Sequence, residues 1–248
     1  MWSKSSWMNC TLKPCAMNSY NEETMQARTQ LLIGREGVEA LRRAHVMVVG
    51  LGGVGGTAAE ALCRSGIGML TLVDGDTVAL SNLNRQIVAE RATLGQNKAL
   101  ALAQRMRAIA PQCRIMAVDT HFTAQNAEAL LGHAPDFIID AIDSMEDKLC
   151  LIAMAHEKKI NIVSATGAGN RLDLQKLKLA DLYQTAGDPV CRILRRELKK
   201  RGVFRHPVVY SEEKPLKKGR PTGSMMFVPS AMGLLLAQYT VEQLRSKQ

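Results

Sequence analysis

Val46-Met47-Val48-Val49-Gly50-Leu51-Gly52-Gly53-Val54-Gly55-Gly56 sets the architecture of this chain. An apolar, mostly β-branched run bounded by glycine fits a strand buried in a parallel sheet. Gly50, Gly52 and Gly55 then spell G-x-G-x-x-G directly behind that strand. Glycines at this spacing permit a tight turn and let backbone N–H groups approach a phosphate at a helix N-terminus, with Gly53 inside the same turn. Thr57 to Arg64, rich in Ala and Leu, supplies the helix. Met69-Leu70-Thr71-Leu72-Val73 reads as a second strand and ends on Asp74. An acid about 20 residues beyond the glycines can accept hydrogen bonds from ribose hydroxyls. Strand, glycine turn, helix, strand and acid in register read as a mononucleotide or dinucleotide site. The alternative is a tight strand–helix turn with no ligand.

The residues beyond Asp74 separate a triphosphate from a dinucleotide. A dinucleotide's pyrophosphate rests on the helix end and needs no further cations. Here Asp76, then Ser81-Asn82-Leu83-Asn84-Arg85-Gln86, then Lys98 come after the acid. Arginine offers a planar fork to phosphate oxygens and lysine a point charge, while Asn82 and Asn84 add neutral donors. Two cations near one nucleotide suit ATP whose pyrophosphate must leave. Read singly, Arg85 and Lys98 would be ordinary surface residues. Asp140-Ala141-Ile142-Asp143-Ser144 favours the first reading, because it comes after the apolar run Phe137-Ile138-Ile139. Asp143 then stands just past the C-terminal end of a strand, where open α/β sheets bind ligands. A carboxylate there can hold Mg2+ against phosphates. It can also cap a helix, and the two roles are compatible.

On either side of this region, helix and strand signals alternate. Asn21 to Ile33 reads as a helix ended by Gly34, and Val38 to Ala44 as a second short helix. Leu94 to Ile109 (stopped by Pro111), Thr123 to Leu131 (capped by Thr123) and Asp147 to Lys159 read as helices. Arg114 to Val118, Asp136 to Ile139 and Ile160 to Val163 read as strands. This alternation implies an α/β fold: a doubly wound, mostly parallel, Rossmann-like sheet with N-terminal helices. Ser164 to Asn170 is a Gly-rich loop expected to face the site, and Arg171 to Leu179 an extended segment. Asp188-Pro189 opens a helix, with Asp188 as cap and Pro189 in its first position. Met226 to Ser230 reads as a short strand and turn, with Ser230 capping a final helix to about Leu244.

The 248 residues are enough for one large domain over 25–248, and they carry a net charge of +9. That charge is concentrated. Cys191 to Arg220 holds eleven cations against three acids. Such asymmetry over the basic segment 188–223 favours a polyanionic partner, with Arg195, Arg196, Lys199, Lys200 and Arg201 as candidate RNA contacts. The alternative is a solvated face. Lys214 to Gly223 is Pro-, Gly- and Lys-rich, a composition that favours disorder until a partner binds. Aromatic residues make up only 4% of the chain, so broad base-stacking surfaces are not expected. Residues 1–24 contain both tryptophans and read as a flexible extension, or as the product of a start placed upstream of Met17 or Met25. No segment resembles a secretory signal, and no apolar run approaches the ~18 residues of a membrane span. A cytoplasmic, reducing location is therefore expected, and the six cysteines need not pair. None forms C-x-x-C, which rules out a zinc site built from two such pairs. Cys191 reads first as a semi-buried helix cysteine; the alternative is a thiolate whose pKa is lowered by Arg192, Arg195 and Arg196.

From about Arg28 to the C-terminal helix the chain resembles the ubiquitin-activating superfamily, the ThiF/MoeB/HesA adenylyltransferases. The resemblance rests on Arg28 with Gln30-Leu31-Leu32, the glycine loop, Asp74-Gly75-Asp76, Ser81 to Gln86, Lys98 and Asp140 to Asp143. It implies that the glycine loop and Asp74 hold ATP, that Arg85 and Lys98 contact its phosphates, and that Asp143 serves Mg2+. It also implies that Arg28 reaches into the site of a second subunit, hence a homodimer. Asp188-Pro189-Val190-Cys191-Arg192, Arg195 to Gly202, Val208-Val209-Tyr210-Ser211 and Phe227-Val228-Pro229-Ser230 narrow the resemblance to the tRNA threonylcarbamoyladenosine dehydratases. That branch implies ATP-dependent ring closure of a modified tRNA nucleoside through a carboxyl-adenylate. A sulfur-relay protein is a further candidate partner. The competing reading is an adenylyltransferase that activates the C-terminus of a ubiquitin-like sulfur carrier.

Overall fold

The computed structural model describes residues 24–217, 219 and 222–246. The expected extension over 1–24 lies outside the described residues except for Thr24, as do Lys218 and Arg220 of the basic segment. Among the described residues seven strands form one sheet. They are β1 (His45–Val49), β2 (Met69–Val73), β3 (Arg114–Val118), β4 (Phe137–Asp140), β5 (Asn161–Ala165), β6 (Leu177–Asp181) and β7 (Pro207–Ser211). Their order is β3-β2-β1-β4-β5-β7-β6, parallel throughout except for the antiparallel edge pair β6–β7. The mostly parallel α/β sheet expected from the sequence is present.

The helices are α1 (Ala27–Arg43), α2 (Gly53–Ser65), α3 (Lys98–Ile109), α4 (Ala127–Leu131), α5 (Met145–Glu157), α6 (Pro189–Lys200) and α7 (Phe227–Arg245). Side chains alternate across the strands and so build a core on each face. Val46, Val48, Leu70 and Leu72 pack with α2, α3 and α7. Met47, Val49 and Ile138 pack with α4, α5 and α6. The sheet is therefore doubly wound. The chain runs outward from β1 through β2 to β3, then returns to β4 on the other side of β1. That reversal leaves a crevice above the C-terminal ends of β1 and β4, the usual ligand position in such sheets.

Several boundaries differ from the sequence reading, each for a local reason. α1 is one helix broken at Gly34, whose φ of 73° only glycine adopts cheaply. α3 begins at Lys98 rather than Leu94, because Asn97 caps it: its Oδ1 accepts from the Leu100 N–H at 3.1 Å. Thr123 caps nothing; its own N–H donates to Asn126 Oδ1, and α4 shortens to Ala127–Leu131. The cap of α5 is Ser144 rather than Asp143, which frees the Asp143 carboxylate. The stretch expected as strand and turn from Met226 is the start of α7. Pro229 is tolerated there because N–H groups of a first turn have no helical partner. Arg171 to Leu179 contains a short 3-10 turn, Leu174–Lys176, before β6. In the Lys-rich segment, Leu216 N–H and Gly223 N–H donate to Asn170 at 2.8 and 2.7 Å, so the described part is held against the Gly-rich loop. No described helix is long and apolar enough to cross a membrane.

Candidate nucleotide site

A cleft of about 710 Å3 opens at the crevice, and most of the expected nucleotide residues converge on it. Gly50, Gly52, Gly53, Gly55, Asp74, Asp76, Arg85, Lys98 and Asp143 all line it. The glycine loop leaves no room for side chains. A Cβ on Gly55 would lie 1.8 Å from Gly50 O, and Gly50 has φ +86°. α2 starts at Gly53, so its unpaired first-turn N–H groups face the cleft and favour an anion. Asp74 orders this loop. One carboxylate oxygen accepts from Leu51 N–H at 2.6 Å and the other from Asp76 N–H at 2.8 Å.

Lys98, the first residue of α3, is buried along its stem, and its Nζ meets Asp76 Oδ2 at 2.6 Å. Asp76 remains largely exposed, so the pair is solvent-screened and can open to a stronger anion. Asn97 knits this corner together, its Nδ2 donating to Asp119 Oδ1 at 2.6 Å and to Asp74 O at 3.0 Å. Sequence reasoning missed Asn97, although an Asn directly before a helical run is a cap signal. Arg85 is held by Ser81 O at 2.7 Å and Asn84 Oδ1 at 2.9 Å through a single guanidinium nitrogen. The rest of its fork is left for a ligand.

Three expected residues lie elsewhere. Asn82 does not line the cleft: it is buried, and its Oδ1 accepts from Ala79 N–H at 3.0 Å, closing the 3-10 turn that presents Arg85. Arg28 sits exposed on α1, away from the cleft of its own chain. Arg195 turns inward, donating to Leu182 O at 3.1 Å, Thr185 O at 2.9 Å and Thr185 Oγ1, so it pins a loop. Of the other cations on α6, Arg196 and Lys200 flank Glu197 in exposed ion pairs, and Lys199 and Arg201 are exposed. α6 starts beside the cleft, where Asp188 caps it and meets Thr166 Oγ1 at 3.4 Å. Lys199, Lys200 and Arg201 stand at its far end, about 18 Å along a 12-residue helix.

The Gly-rich loop does face the site, with Ala165 to Gly169 forming the wall opposite the glycine turn. Arg171 and Asp188 brace it from behind in a buried pair at 2.6 Å. The role of α7 was not legible in the sequence. Pro229 lines the cleft, and a Cβ on Gly233 would lie 2.4 Å from Val54 O, so α7 packs backbone-close on the nucleotide helix α2. Cys191 is fully buried, and burial pushes its thiol up to about 12, so the neighbouring arginines do not activate it. The inert helix cysteine is the reading that fits, buried more deeply than expected.

Among the described residues no group of three or more His, Cys, Asp or Glu side chains is placed to hold a metal ion by itself. Mg2+ beside a nucleotide asks less, usually one or two carboxylates plus phosphate oxygens and water. Asp143, exposed on the cleft wall and not used as a helix cap, fits that requirement.

The model of the ThiF family matches residues 25–247. The tRNA threonylcarbamoyladenosine dehydratase of Bacillus subtilis is 35% identical over 237 residues, covering 88% of this chain and 93% of that protein. The Escherichia coli enzyme of the same name is 43% identical over 171 residues, 69% of this chain and 64% of its own length. The crystal structure of the E. coli enzyme with ATP superposes with a TM-score of 0.86 at 34% identity, covering 93% of this chain and 98% of that one. On sequence and fold together, the chain belongs to the ThiF family, in its tRNA threonylcarbamoyladenosine dehydratase branch.

Proposed function

We propose that this protein is an ATP-dependent dehydratase that cyclises threonylcarbamoyladenosine in tRNA, acting in the cytoplasm. The observation that carries this reading is the convergence of the glycine loop, Asp74, Arg85, Lys98 and Asp143 on one cleft in a chain of this family. A carboxylate is a poor electrophile until its oxygen is made part of a leaving group. The threonyl carboxylate attacks the α-phosphorus of ATP, and pyrophosphate departs. The tethered carbamoyl group then attacks the acyl carbon, AMP leaves, and a ring closes with net loss of one water. Because the nucleophile is already in the molecule, proximity does much of the work and no covalent cysteine is needed.

The α2 N-terminus and glycine loop cradle the phosphates, and Asp74 is placed for the ribose. Lys98 exchanges Asp76 for phosphate, and with Arg85 it stabilises charge on the pentavalent phosphorus and on the leaving pyrophosphate. Mg2+, held by Asp143, would add neutralisation of the phosphate charge. Arg28 is assigned to the neighbouring site of a homodimer. The wall from Ala165 to Gly169 is left for the acceptor nucleoside.

The test is mass analysis of nucleosides from threonylcarbamoyl-modified tRNA incubated with protein, ATP and Mg2+. An ATP-dependent loss of one water, absent with Arg85→Ala, is the expected result. No change while ATP is bound and tRNA intact would turn attention to the sulfur-carrier reading, which the missing C-x-x-C pairs disfavour. For the basic segment, Lys199→Ala/Lys200→Ala/Arg201→Ala should weaken tRNA binding and lower its salt slope by up to about 3 while ATP affinity holds. Equal loss of ATP and tRNA binding would remove these cations from the RNA interface.

A further inference from the structure

Beneath the cleft floor lies an ion pair that the proposed reaction does not use. Asp140 ends β4 and is fully buried, and Lys148 in α5 is 3% exposed; Lys148 Nζ meets Asp140 Oδ2 at 2.7 Å. Neither side chain lines the cleft. The second Asp140 oxygen accepts from Ile142 N–H at 3.1 Å, and the Lys148 N–H donates to Ser144 O at 3.0 Å. The second of these is an ordinary helical backbone bond; it is the side-chain pair that ties Asp140, before the turn 141–144, to the first turns of α5 behind it. That turn abuts the glycine loop: a Cβ on Gly50 would lie 2.5 Å from Ala141 O, and one on Gly55 3.1 Å from Ala141 Cβ. Asp143 stands at its crest.

A buried pair of this kind is a poor stability device, because desolvation offsets much of the attraction. A lysine near the start of a helix also opposes the helix dipole. Geometry is what the pair supplies. We propose that Lys148 is a positioning residue which, through Asp140, fixes the turn that presents Asp143 to the metal and phosphates. This rests on the reading of Asp143 as the Mg2+ carboxylate. Lys148 touches neither nucleotide nor metal and acts through Asp140 and the backbone of the turn.

The experiment is titration calorimetry of the full-length protein with α,β-methylene-ATP, in EDTA and in saturating Mg2+, so that no turnover is needed. Wild type should bind more tightly with Mg2+, and Asp143→Asn should lose that gain. Lys148→Met should reduce the gain by about tenfold, the usual effect of losing a group that orients a metal ligand, while affinity in EDTA stays within about twofold. Lys148→Arg should restore most of it. Should Lys148→Met fail to fold with an unpaired Asp140, Asp140→Asn/Lys148→Met removes both charges and should show the same selective loss. A wild-type Mg2+ gain in Lys148→Met, or equal losses in EDTA and Mg2+, would overturn the proposal. A wild-type gain in Asp143→Asn has a different signature: it removes the metal assignment itself.

Discussion

His206 illustrates how far a single residue's environment departs from its sequence context. It sits between α6 and β7 in a basic stretch, yet it is fully buried. Its Nε2 is 2.8 Å from Ser164 Oγ, and its Nδ1 is 3.3 Å from His156 Nε2. Burial first, then the neighbouring His156 and Lys148, lowers its pKa to about 3. The folded protein thus keeps it neutral where the unfolded chain, titrating at 6.5, takes up a proton. Its contribution to stability is complete above pH 6.5 and is lost as pH falls through the window toward 3. Between pH 7 and 5 the expected loss is about 2 kcal/mol from this one group. Urea denaturation at pH 7, 6 and 5 should show that dependence shrink by this amount in His206→Gln. An unchanged pH dependence would place the proton uptake elsewhere. Burial of His156 lowers its pKa also, which adds to the same trend.

At the level of elements, α6 is held by one carboxylate with three tasks. Asp188 caps the helix by accepting from Cys191 N–H at 2.9 Å, pairs with Arg171 and meets the hydroxyl of Thr166. The cap and the first-position proline were legible in the sequence because they are local. The pairing with Arg171, 17 residues earlier, was not, because the intervening β6 lies on the sheet edge only after folding. Asp188→Ala removes a cap and leaves a buried guanidinium unpaired, so it should cost about 3–5 kcal/mol. Asp188→Asn, which keeps an acceptor for the cap, should cost less. Thermal melts of the two variants check the order, and equal losses would mean that the cap adds nothing beyond the Arg171 pair. Helix starts are the least legible feature of this sequence. Leu94, Thr123 and Ala231 satisfy the local rules for a first residue or cap, but the observed starts follow Asn97, which caps α3, Asn126, which accepts the Thr123 N–H, and Pro229, which the first turn of α7 accommodates.

The whole molecule poses the question of Arg28. It stands exposed on α1 while the cleft lies at the strand ends, so one chain does not bring it to its own phosphates. If the active unit is a homodimer with Arg28 crossing between subunits, Arg28→Ala and Arg85→Ala proteins should each be inactive alone. Mixed in equal amounts and allowed to exchange, they should regain about a quarter of wild-type turnover, since half the dimers carry one complete site of two. No recovery despite verified subunit exchange would confine Arg28 to its own chain. The far-end position of Lys199, Lys200 and Arg201 matters for the whole molecule too. A tRNA held by them with its modified nucleoside in the cleft would have to span the length of α6.

The parallel sheet, the glycine loop, Asp74 and the order of helices are written in the sequence. Each arises from short-range facts: β-branched runs buried on both faces, glycines at fixed spacing, an acid closing the next strand. Which of the other polar residues are free for a ligand depended on contacts made only after folding. In sequence, Asn82 and Arg85 both read as nucleotide contacts and Arg195 as an RNA contact, but Asn82 closes a turn and Arg195 pins a loop, while Arg85, anchored through one nitrogen, and Lys98 line the cleft. The packing of α7 on α2 at Gly233 and the buried bracket of Asp140 and Lys148 are contacts between elements distant in the chain or turned back on themselves. Periodicity records which face of an element is apolar, but not which partner that face will meet.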